Sequence, residues 1–389
     1  MRSTLNTTRS RRPQVEIGQE LAAALAEKIV GQPGAINAIV PYVHMYQSGL
    51  APEGRPVGVF LLLGPSGSGK TRTVEALAYA LHGSEKTLLK VDCGEFQMEH
   101  EVAKLIGAPP GYLGHRETQP MLNQQKLNAA TSERSSLSIV LFDEIEKAAP
   151  SLSRLLLGVL DKATLRLGDN TGVNFEKSMI FLTSNLGARE MLREIQPDFG
   201  FQAGVPMARA NLAGRLENIG LVAVRRKFSP EFVNRIDAVV TYQPLSAESL
   251  ATILDQQLEE LQEHIISRLG PRGFLIQISP ETREFLLRRG SSPRNGAREL
   301  KRTVHRHLTQ PLAAMVANRQ ISPGSRVAVD LSEDGEGLEM DIQPDSRFER
   351  PPQEDLTDLP PRQPRQQAAA GSQAQAGENL LGCLRRGGS

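Results

Sequence analysis

The sequence VGVFLLLGPSGSGKTRTVEALAYAL, residues 57–81, decides the fold. Its first seven residues form an unbroken apolar run, which is typical of a strand covered on both faces in a parallel sheet. A glycine-rich turn follows, and then apolar residues recur at the spacing i, i+3, i+4, i+7 of a buried helix stripe: Val74, Leu77, Ala78 and Leu81. The stretch therefore predicts a strand, a tight turn and a helix in succession.

The turn GPSGSGKT, residues 64–71, matches the pattern G-x-x-x-x-G-K-[ST] in full and stands between a strand and a helix, as that motif requires. Glycines let successive backbone N–H groups point toward one anion, and the helix N-terminus adds partial positive charge. The turn predicts a phosphate-binding loop for a nucleotide, in which Lys70 reaches the β- and γ-phosphates and the Thr71 hydroxyl binds Mg²⁺. The residues predicted to hold the nucleotide are Gly64, Pro65, Ser66, Gly67, Ser68, Gly69, Lys70 and Thr71.

Two further apolar runs end in polar residues suited to the same chemistry. SIVLFDE, residues 138–144, delivers Asp143 and Glu144 at the end of a predicted strand. We expect Asp143 to hold Mg²⁺, directly or through water, and Glu144 to polarise the water that attacks the γ-phosphate. Adjacent carboxylates can also cap a following helix, but the phosphate-binding loop favours the catalytic interpretation. Asn185, after the run SMIFLT, is expected to orient the same water, with a loop cap as the alternative.

Five apolar runs alternate with helical patterns, which predicts an α/β domain with a parallel sheet covered by helices over residues 21–244. The runs are residues 57–63, 87–91, 138–142, 178–183 and 238–242. Residues 245–342 predict a small α+β domain that begins with a long amphipathic helix. At the ends, residues 1–20 predict a flexible basic arm, and the Pro/Gln/Ala-rich residues 343–389 predict a disordered tail.

Composition limits the partners and the compartment. The 389 residues carry 45 basic and 44 acidic side chains, for a net charge of +1, so charge gives no reason to expect nucleic acid or an anionic membrane as a partner. Cys93 and Cys383 lack metal-ligand spacing, which argues against a disulfide framework or a zinc site and fits a reducing compartment. The sequence shows no secretory signal and no apolar run near the ~20 residues of a membrane span. We expect a cytoplasmic protein.

Seven ordered motifs together resemble the Clp/heat-shock family of AAA+ ATPases, and within it the C-terminal ATPase module of the members with two rings. The motifs, between about Ile29 and Ile342, are IVGQ, GPSGSGKT, LIGAPPGYLG, LFDEIEKA, TSNLGA, FSPEFVNRID and NGARELKR. The resemblance implies an AAA+ P-loop NTPase fold with a small C-terminal domain. It also implies ATP hydrolysis with Mg²⁺ as the activity and a homo-hexamer as the assembly.

The resemblance assigns roles to further residues. They are Val30, Gly31 and Gln32 against the adenine, Asn185 as sensor 1, Arg235 as an arginine finger and Arg298 as sensor 2. A finger reaches the γ-phosphate of the neighbouring subunit, so the full set of catalytic charges exists only in a ring. Without the resemblance, Arg235 and Arg298 fit surface salt bridges equally well.

The loop IGAPPGYLGHRE, residues 106–117, corresponds to the family's pore loop, which would place Tyr112 and Leu113 in a central channel. An aromatic face packs against almost any side chain, so the loop suits a motor that grips unfolded or tagged polypeptide. The sequence departs from the family pattern after this loop, where the usual Gly-Gly is missing, and again in the second pore loop. The substrate and the efficiency of threading stay open.

A possible peptidase contact and the overall function complete the prediction. Phe199, Gly200 and Phe201 match the hydrophobic-Gly-hydrophobic tripeptide with which some family members dock on a ClpP-like peptidase, although core packing of the two phenylalanines is the alternative. The predicted function is an ATP-dependent protein unfoldase or remodelling chaperone that threads polypeptide through a ring. The alternative is a non-threading ATPase switch or scaffold that assembles a partner complex. The neutral charge disfavours a nucleic-acid motor.

Overall fold

The computed structural model describes residues 14–107, 120–195, 212–292 and 295–344. Tyr112, Leu113 and the tripeptide at residues 199–201 lie outside these ranges, as do the first 13 residues and the tail from residue 345. Within the described ranges, no helix is long and apolar enough to cross a membrane.

The helices and strands of the described residues have the following bounds. The helices are α1 Gln14–Lys28, α2 Pro33–Gln47, α3 Lys70–His82, α4 Glu99–Ile106, α5 Gln124–Ala129, α6 Pro150–Lys162, α7 Ala188–Ile195, α8 Leu212–Lys227, α9 Pro230–Val233, α10 Ala247–Leu269, α11 Pro280–Gly290, α12 Ala297–Val304 and α13 Gln310–Ala317. The strands are β1 Gly58–Leu63, β2 Leu89–Asp92, β3 Ser138–Asp143, β4 Thr164–Arg166, β5 Gly172–Asn174, β6 Ser178–Ser184, β7 Ala238–Thr241, β8 Leu275–Ile278, β9 Ser325–Leu331 and β10 Leu338–Pro344.

Five parallel strands form the main sheet, in the order β2-β3-β6-β1-β7. These strands coincide with the five apolar runs of the sequence, so the predicted α/β fold with a parallel sheet is confirmed. The register aligns the carboxyl ends of neighbouring strands, because Leu63 pairs with Ser184 and Asp92 pairs with Asp143. Open parallel sheets bind ligands at this edge. The fold therefore gathers the polar residues that follow three different strands.

Helices cover both faces of this sheet, which explains the unbroken apolar runs. Along β1, Val59, Leu61 and Leu63 belong to one buried cluster, whereas Phe60 and Leu62 belong to the cluster on the opposite face. The second cluster also contains the predicted stripe of α3, namely Val74, Leu77, Ala78 and Leu81. A strand that is buried on both faces does not alternate polar and apolar side chains. Because β1 and α3 are both buried, the position of the turn between them is fixed.

A smaller sheet follows, with the strand order β10-β9-β8. Strand β8 runs parallel to β9, and β9 runs antiparallel to β10. A third buried cluster joins this sheet to α10, α11 and α12 through side chains such as Leu254, Phe285 and Leu300. The helices and strands expected for a small α+β unit are present.

Three details differ from the sequence prediction. Residues 14–20, expected in a flexible arm, form the first turns of α1, because Leu21 and Leu25 bury their side chains in the core and anchor that helix. Strand β10 continues to Pro344, slightly beyond the expected domain end, because its pairing with β9 continues that far. The β4–β5 hairpin was not predicted, since strands of three residues are too short to show a hydrophobic period.

Candidate functional site

A cavity of about 740 Å³ lies at the carboxyl ends of β1, β3 and β6. One part of its wall, which we call the phosphate side, is formed by residues 66–71, Asp143, Glu144 and Asn185. The other part, which we call the base side, is formed by the segment that follows α1, by Leu245 and by residues of α10. The structure thus brings the three motifs of the predicted nucleotide site into one cavity.

The turn between β1 and α3 has glycine where the backbone needs it. A Cβ on Gly64 would lie 2.7 Å from the carbonyl oxygen of Tyr242, and a Cβ on Gly67 would lie 2.0 Å from the carbonyl oxygen of Asn295. Gly69, at φ +104°, precedes α3 and provides no side-chain cap. The first amides of α3 therefore stay available for an anion.

Lys70, the first residue of α3, reaches back over this turn. Its Nζ donates to the carbonyl oxygens of Gly64 at 2.7 Å and Pro65 at 2.8 Å, and to Asn185 Oδ1 at 2.9 Å. Burial lowers the pKa of Lys70 to about 8, although nearby carboxylates, Glu146 first among them, oppose this shift. Among the described residues, only neutral oxygens bond directly to this buried ammonium group. It therefore gains from a phosphate partner, because charge-assisted hydrogen bonds are stronger than neutral ones.

Asp143, at the end of β3, faces the start of α3. Thr71 Oγ1 donates to its Oδ1 at 3.3 Å, and Thr183 Oγ1 donates to the same oxygen at 2.5 Å. Lys90 forms an ion pair with Oδ2 at 3.2 Å. One carboxylate and one hydroxyl beside a phosphate-binding loop fit Mg²⁺, which usually takes one or two protein ligands, several waters and substrate phosphates. The two residues predicted to hold Mg²⁺ are therefore adjacent.

Glu144 follows in the left-handed region of backbone conformation, at φ +56°. Its N–H donates to Thr183 Oγ1 at 2.9 Å, and its Oε1 accepts from Asn185 Nδ2 at 3.3 Å. Its Oε2 forms an ion pair with Lys147. Such a conformation is uncommon for a residue with a side chain and is concentrated at functional sites. The Asn185 amide thus contacts both Glu144 and Lys70.

The base side is more apolar. Its apolar side chains are Ile29, Val30, Leu245 and Ile253. Gly31, at φ +75°, packs against the first turn of α10, where an added Cβ would lie 2.6 Å from Ser249 Oγ. Gln32 lines the cavity, but its Nε2 donates to the backbone oxygens of Ser68 at 3.2 Å and Gln243 at 2.8 Å. Of the three residues predicted to lie against adenine, Val30 lines the cavity with an apolar side chain. Gln32 forms a hydrogen bond to the phosphate-binding loop.

Comparison with known proteins agrees with this geometry. Residues 55–239 match the family described as AAA domain (Cdc48 subfamily), and residues 245–329 match the C-terminal, D2-small domain of ClpB protein. The chaperone protein ClpB of Meiothermus ruber is 36% identical over 305 residues, which are 78% of this chain and 33% of that protein. The ClpB of Aquifex aeolicus is 36% identical over 317 residues, which are 82% of this chain and 30% of that protein. The chain contains a Clp-type AAA+ ATPase module.

A solved structure supports the same assignment. A closed-state cryo-EM reconstruction of Hsp104 with ATPγS and FITC casein matches with a TM-score of 0.69 at 29% identity, over 86% of this chain and 53% of that one. The predicted Clp-type AAA+ fold and the prediction of an ATPase are confirmed at the level of the family. This Clp-type chain spans about a third of the length of the ClpB relatives that it matches.

The two arginines predicted for a Clp-type ATPase occupy different places. Arg298, in the first turn of α12, lines the cavity and lies close enough to contribute to the lowered pKa of Lys70. The preceding residue, Ala297, donates its N–H to the carbonyl oxygen of Gly67 at 3.1 Å. Arg235 is not among the described residues that line the cavity, and it forms an ion pair with Asp161 Oδ1 at 2.9 Å.

Sequence reasoning missed several residues of this Clp-type site. Thr183, Lys90 and Lys147 contact Asp143 or Glu144, and each could have been suspected because it lies within a few residues of a predicted strand end. Ile253 and Gln257 of α10 carry no motif at all. They could have been found only from the knowledge that α10 packs beside the segment that follows α1.

Proposed function

We propose that this Clp-type AAA+ ATPase hydrolyses ATP in the cavity described above and couples hydrolysis to the remodelling of protein substrates in a ring. The observation that carries the proposal is the cluster of Lys70, Asp143, Glu144 and Asn185 around one cavity. The match of residues 245–329 to the D2-small domain of ClpB and the similarity to the ClpB relatives support the coupling to protein substrates.

The contacts of each side chain support its role. The amides of residues 64–71 and Lys70 bind the phosphates, which replace the carbonyl oxygens of the loop as partners of the Lys70 ammonium. Thr71 and Asp143 hold Mg²⁺, which supplies positive charge beside the phosphates. Glu144 accepts a proton from the attacking water. Asn185, already bonded to both Lys70 and Glu144, keeps that water between the base and the γ-phosphate.

A ring completes the site in this proposal. Arg235 forms an ion pair with Asp161 and is not among the described residues that line the cavity of its own chain, which supports a role in a neighbouring site. A neighbouring subunit in a homo-hexamer would then supply its arginine to the γ-phosphate, as in other NTPases whose finger acts in trans. Arg298 acts within the chain, where it lines the cavity beside the phosphate-binding loop.

The proposed work on polypeptide depends on residues outside the described ranges. Tyr112 and Leu113 are proposed to grip an unfolded or tagged chain in the central channel. Support comes from the resemblance of residues 106–117 to a pore loop and from the matched Hsp104 reconstruction, which was made with FITC casein. Docking on a ClpP-like peptidase through residues 199–201 stays a prediction without structural support, because these residues also lie outside the described ranges.

Threading and a non-threading switch are distinguished by Tyr112→Ala. ATP binding, assembly and basal hydrolysis should persist in this variant, because Tyr112 belongs to none of the phosphate-contacting motifs. Unfolding of a tagged fluorescent protein, and stimulation of hydrolysis by unfolded casein, should be lost. Tyr112→Phe is the matched control and should retain both, since the ring face and not the hydroxyl makes the contact. Wild-type unfolding by the alanine variant would reject threading and favour the switch.

A further inference from the structure

Glu146 is a half-buried carboxylate that has no role in the site described above. It follows Asp143 and Glu144 in the motif LFDEIEKA and lies in a short 3₁₀ helix, Ile145–Lys147, after β3. It is not among the described residues that line the cavity. Its Oε1 accepts a hydrogen bond from the backbone N–H of Asn185 at 3.0 Å. One oxygen of Glu146 is therefore committed to the residue that contacts both Lys70 and the proposed base.

The second oxygen of Glu146 makes this carboxylate costly to keep. Its Oε2 is buried and has no hydrogen-bond partner in the part of the chain that the structure describes. Buried polar atoms nearly always have a partner, because an unpaired one has lost its hydration without compensation. Groups that break such a rule are expected mainly at functional sites. The bond of Oε1 to Asn185 is the contact that can offset this cost.

The backbone of Asn185 depends on this bond. Asn185 is the first residue after β6, and the pairing of β6 with β3 already ends at Leu182, so its N–H donates to a side chain instead of a strand. A second bond joins the same two strand ends in the opposite direction, because the N–H of Glu144 donates to Thr183 Oγ1 at 2.9 Å. The two bonds together fix the separation of the residues that follow β3 and β6.

The backbone of Asn185 in turn determines where its side-chain amide lies. Asparagine has two side-chain torsions, so a fixed backbone leaves few positions for Oδ1 and Nδ2. These atoms contact Lys70 Nζ at 2.9 Å and Glu144 Oε1 at 3.3 Å. A displacement of about 1 Å would break at least one of these contacts, and a misplacement of that size typically costs about 10²-fold in turnover.

We infer that Glu146 is a positioning residue, which holds the backbone of Asn185 and thereby the amide that orients the attacking water beside Glu144. The inference rests on the proposed ATP hydrolysis and adds to it a residue that does not line the cavity. A carboxylate makes a stronger bond to an N–H than a neutral acceptor does. Loss of the acceptor should therefore lower turnover and leave the binding of ATP intact.

A double-mutant cycle on turnover tests this order of action. Glu146→Met keeps the length of the side chain and removes the acceptor, so kcat of the assembled protein should fall about tenfold or more, with the affinity for ATP unchanged. Asn185→Ala removes the amide itself and should lower kcat at least as much. The double variant should lie within about twofold of Asn185→Ala, because Glu146 acts through that amide. Two losses that multiply would overturn the inference.

Hydrogen exchange measured by mass spectrometry supplies a readout that needs neither turnover nor assembly. In Glu146→Met the backbone N–H of Asn185 loses its acceptor, so a peptide that contains residue 185 should exchange about one amide faster. In Glu146→Gln the side-chain oxygen can still accept, so exchange should stay slow and kcat should remain within about threefold of the unaltered protein. Unchanged exchange in Glu146→Met would overturn the inference even if turnover falls.

Glu101 provides a matched control. Its Oε2 accepts a hydrogen bond from the backbone N–H of Met98 at 2.9 Å, and it is not among the described residues that line the cavity. Glu101→Met removes the same kind of bond and should leave kcat within about twofold. An equal loss of turnover in Glu101→Met and Glu146→Met would mean that any such bond supports the fold, and would also overturn the inference.

The remaining outcomes separate this inference from the proposed function. If the assembled protein hydrolyses no ATP, the proposed function fails and this inference fails with it. If Asn185→Ala keeps normal turnover, the inference is wrong and the ATP site stands. Glu146 is also the carboxylate that most strongly opposes the lowered pKa of Lys70. An equal loss in Glu146→Gln and Glu146→Met, or a loss of ATP affinity at unchanged kcat, would therefore assign its effect to charge and overturn the positioning role.

Discussion

The phosphate side and the base side of the cavity are built in different ways. On the phosphate side, the proposed binding surface is made by backbone geometry: the turn after β1 and the start of α3 present amides, and Lys70 is buried among oxygens of the same turn. On the base side, the lining is made by side chains from distant segments, such as Val30 before α2 and Ile253 in α10. A short motif can specify the first arrangement, whereas only the folded chain creates the second.

The two sides also differ in electrostatics. Lys70, Lys90 and Lys147 lie among the carboxylates of Asp143 and Glu144 on the phosphate side. The base side contributes mainly aliphatic surface and amides. Changes on the phosphate side should therefore act chiefly on turnover, where charge develops. Changes on the base side should act on affinity, because its contacts are the same in the ground state and the transition state.

The largest effect should come from a residue that lies outside the cavity in its own subunit. Arg235→Ala should lower ATP turnover of the assembled protein by about 10³-fold or more, the contribution typical of an arginine finger. Nucleotide affinity of the isolated subunit, measured by fluorescence titration, should stay within about twofold. Full activity of a monomer, verified by analytical ultracentrifugation, would show that the phosphate side is complete within one chain.

A second variant shows whether the Arg235 ion pair is structural. Asp161 is the described partner of Arg235, at 2.9 Å, and both side chains are partly exposed. Asp161→Asn removes the charge and keeps the shape, so the assembled protein should retain its turnover. An equal loss of turnover in Arg235→Ala and Asp161→Asn would mean that the pair supports the local fold, not the neighbouring site.

The next largest effect is expected for Glu144, the proposed general base on the phosphate side. Glu144→Gln should lower turnover by about 10²-fold or more, because the amide cannot accept the proton of the attacking water. ATP binding should be nearly unchanged, since Lys70 and the loop amides remain. Glu95→Gln, an exposed position nearby, is the matched control and should keep normal turnover. Normal turnover of Glu144→Gln would remove Glu144 from its proposed role.

The fold and the phosphate side could be predicted from the sequence for one physical reason. Strands buried on both faces need unbroken apolar runs, and the turn at residues 64–71 needs glycine at positive φ, so both requirements are visible in the residue types. The residue types of α10 are much less informative about the site. Any amphipathic helix has a stripe such as Ile253 and Gln257, and the stripe does not reveal what it faces. Their place in the cavity wall is a property of the fold alone.

A smaller effect is expected on the base side. Ile253→Ala removes part of an aliphatic wall, so ATP should bind about fivefold more weakly, which corresponds to roughly 1 kcal/mol of lost apolar contact. Turnover at saturating ATP should not change, because uniform binding affects KM and not kcat. Ile253→Val is the conservative control. A fall in kcat with an unchanged KM would contradict the proposal that the base side sets affinity and the phosphate side sets turnover.

The smallest effect concerns a proton on Lys70. Burial lowers the pKa of Lys70 to about 8, so near pH 8 about half of the nucleotide-free molecules lack the ammonium charge. A bound phosphate places negative charge beside Nζ and raises that pKa, which means that ATP binding at pH 8 should take up about half a proton, whereas binding at about pH 6 should take up almost none at this group. Calorimetric titrations in two buffers of different ionisation enthalpy measure this uptake directly. Ile253→Ala should bind ATP more weakly with the same proton uptake, because the Ile253 side chain is aliphatic and carries no titratable proton. Uptake that is absent at pH 8, or that changes in Ile253→Ala, would show that the charge of Lys70 is not set by its burial on the phosphate side.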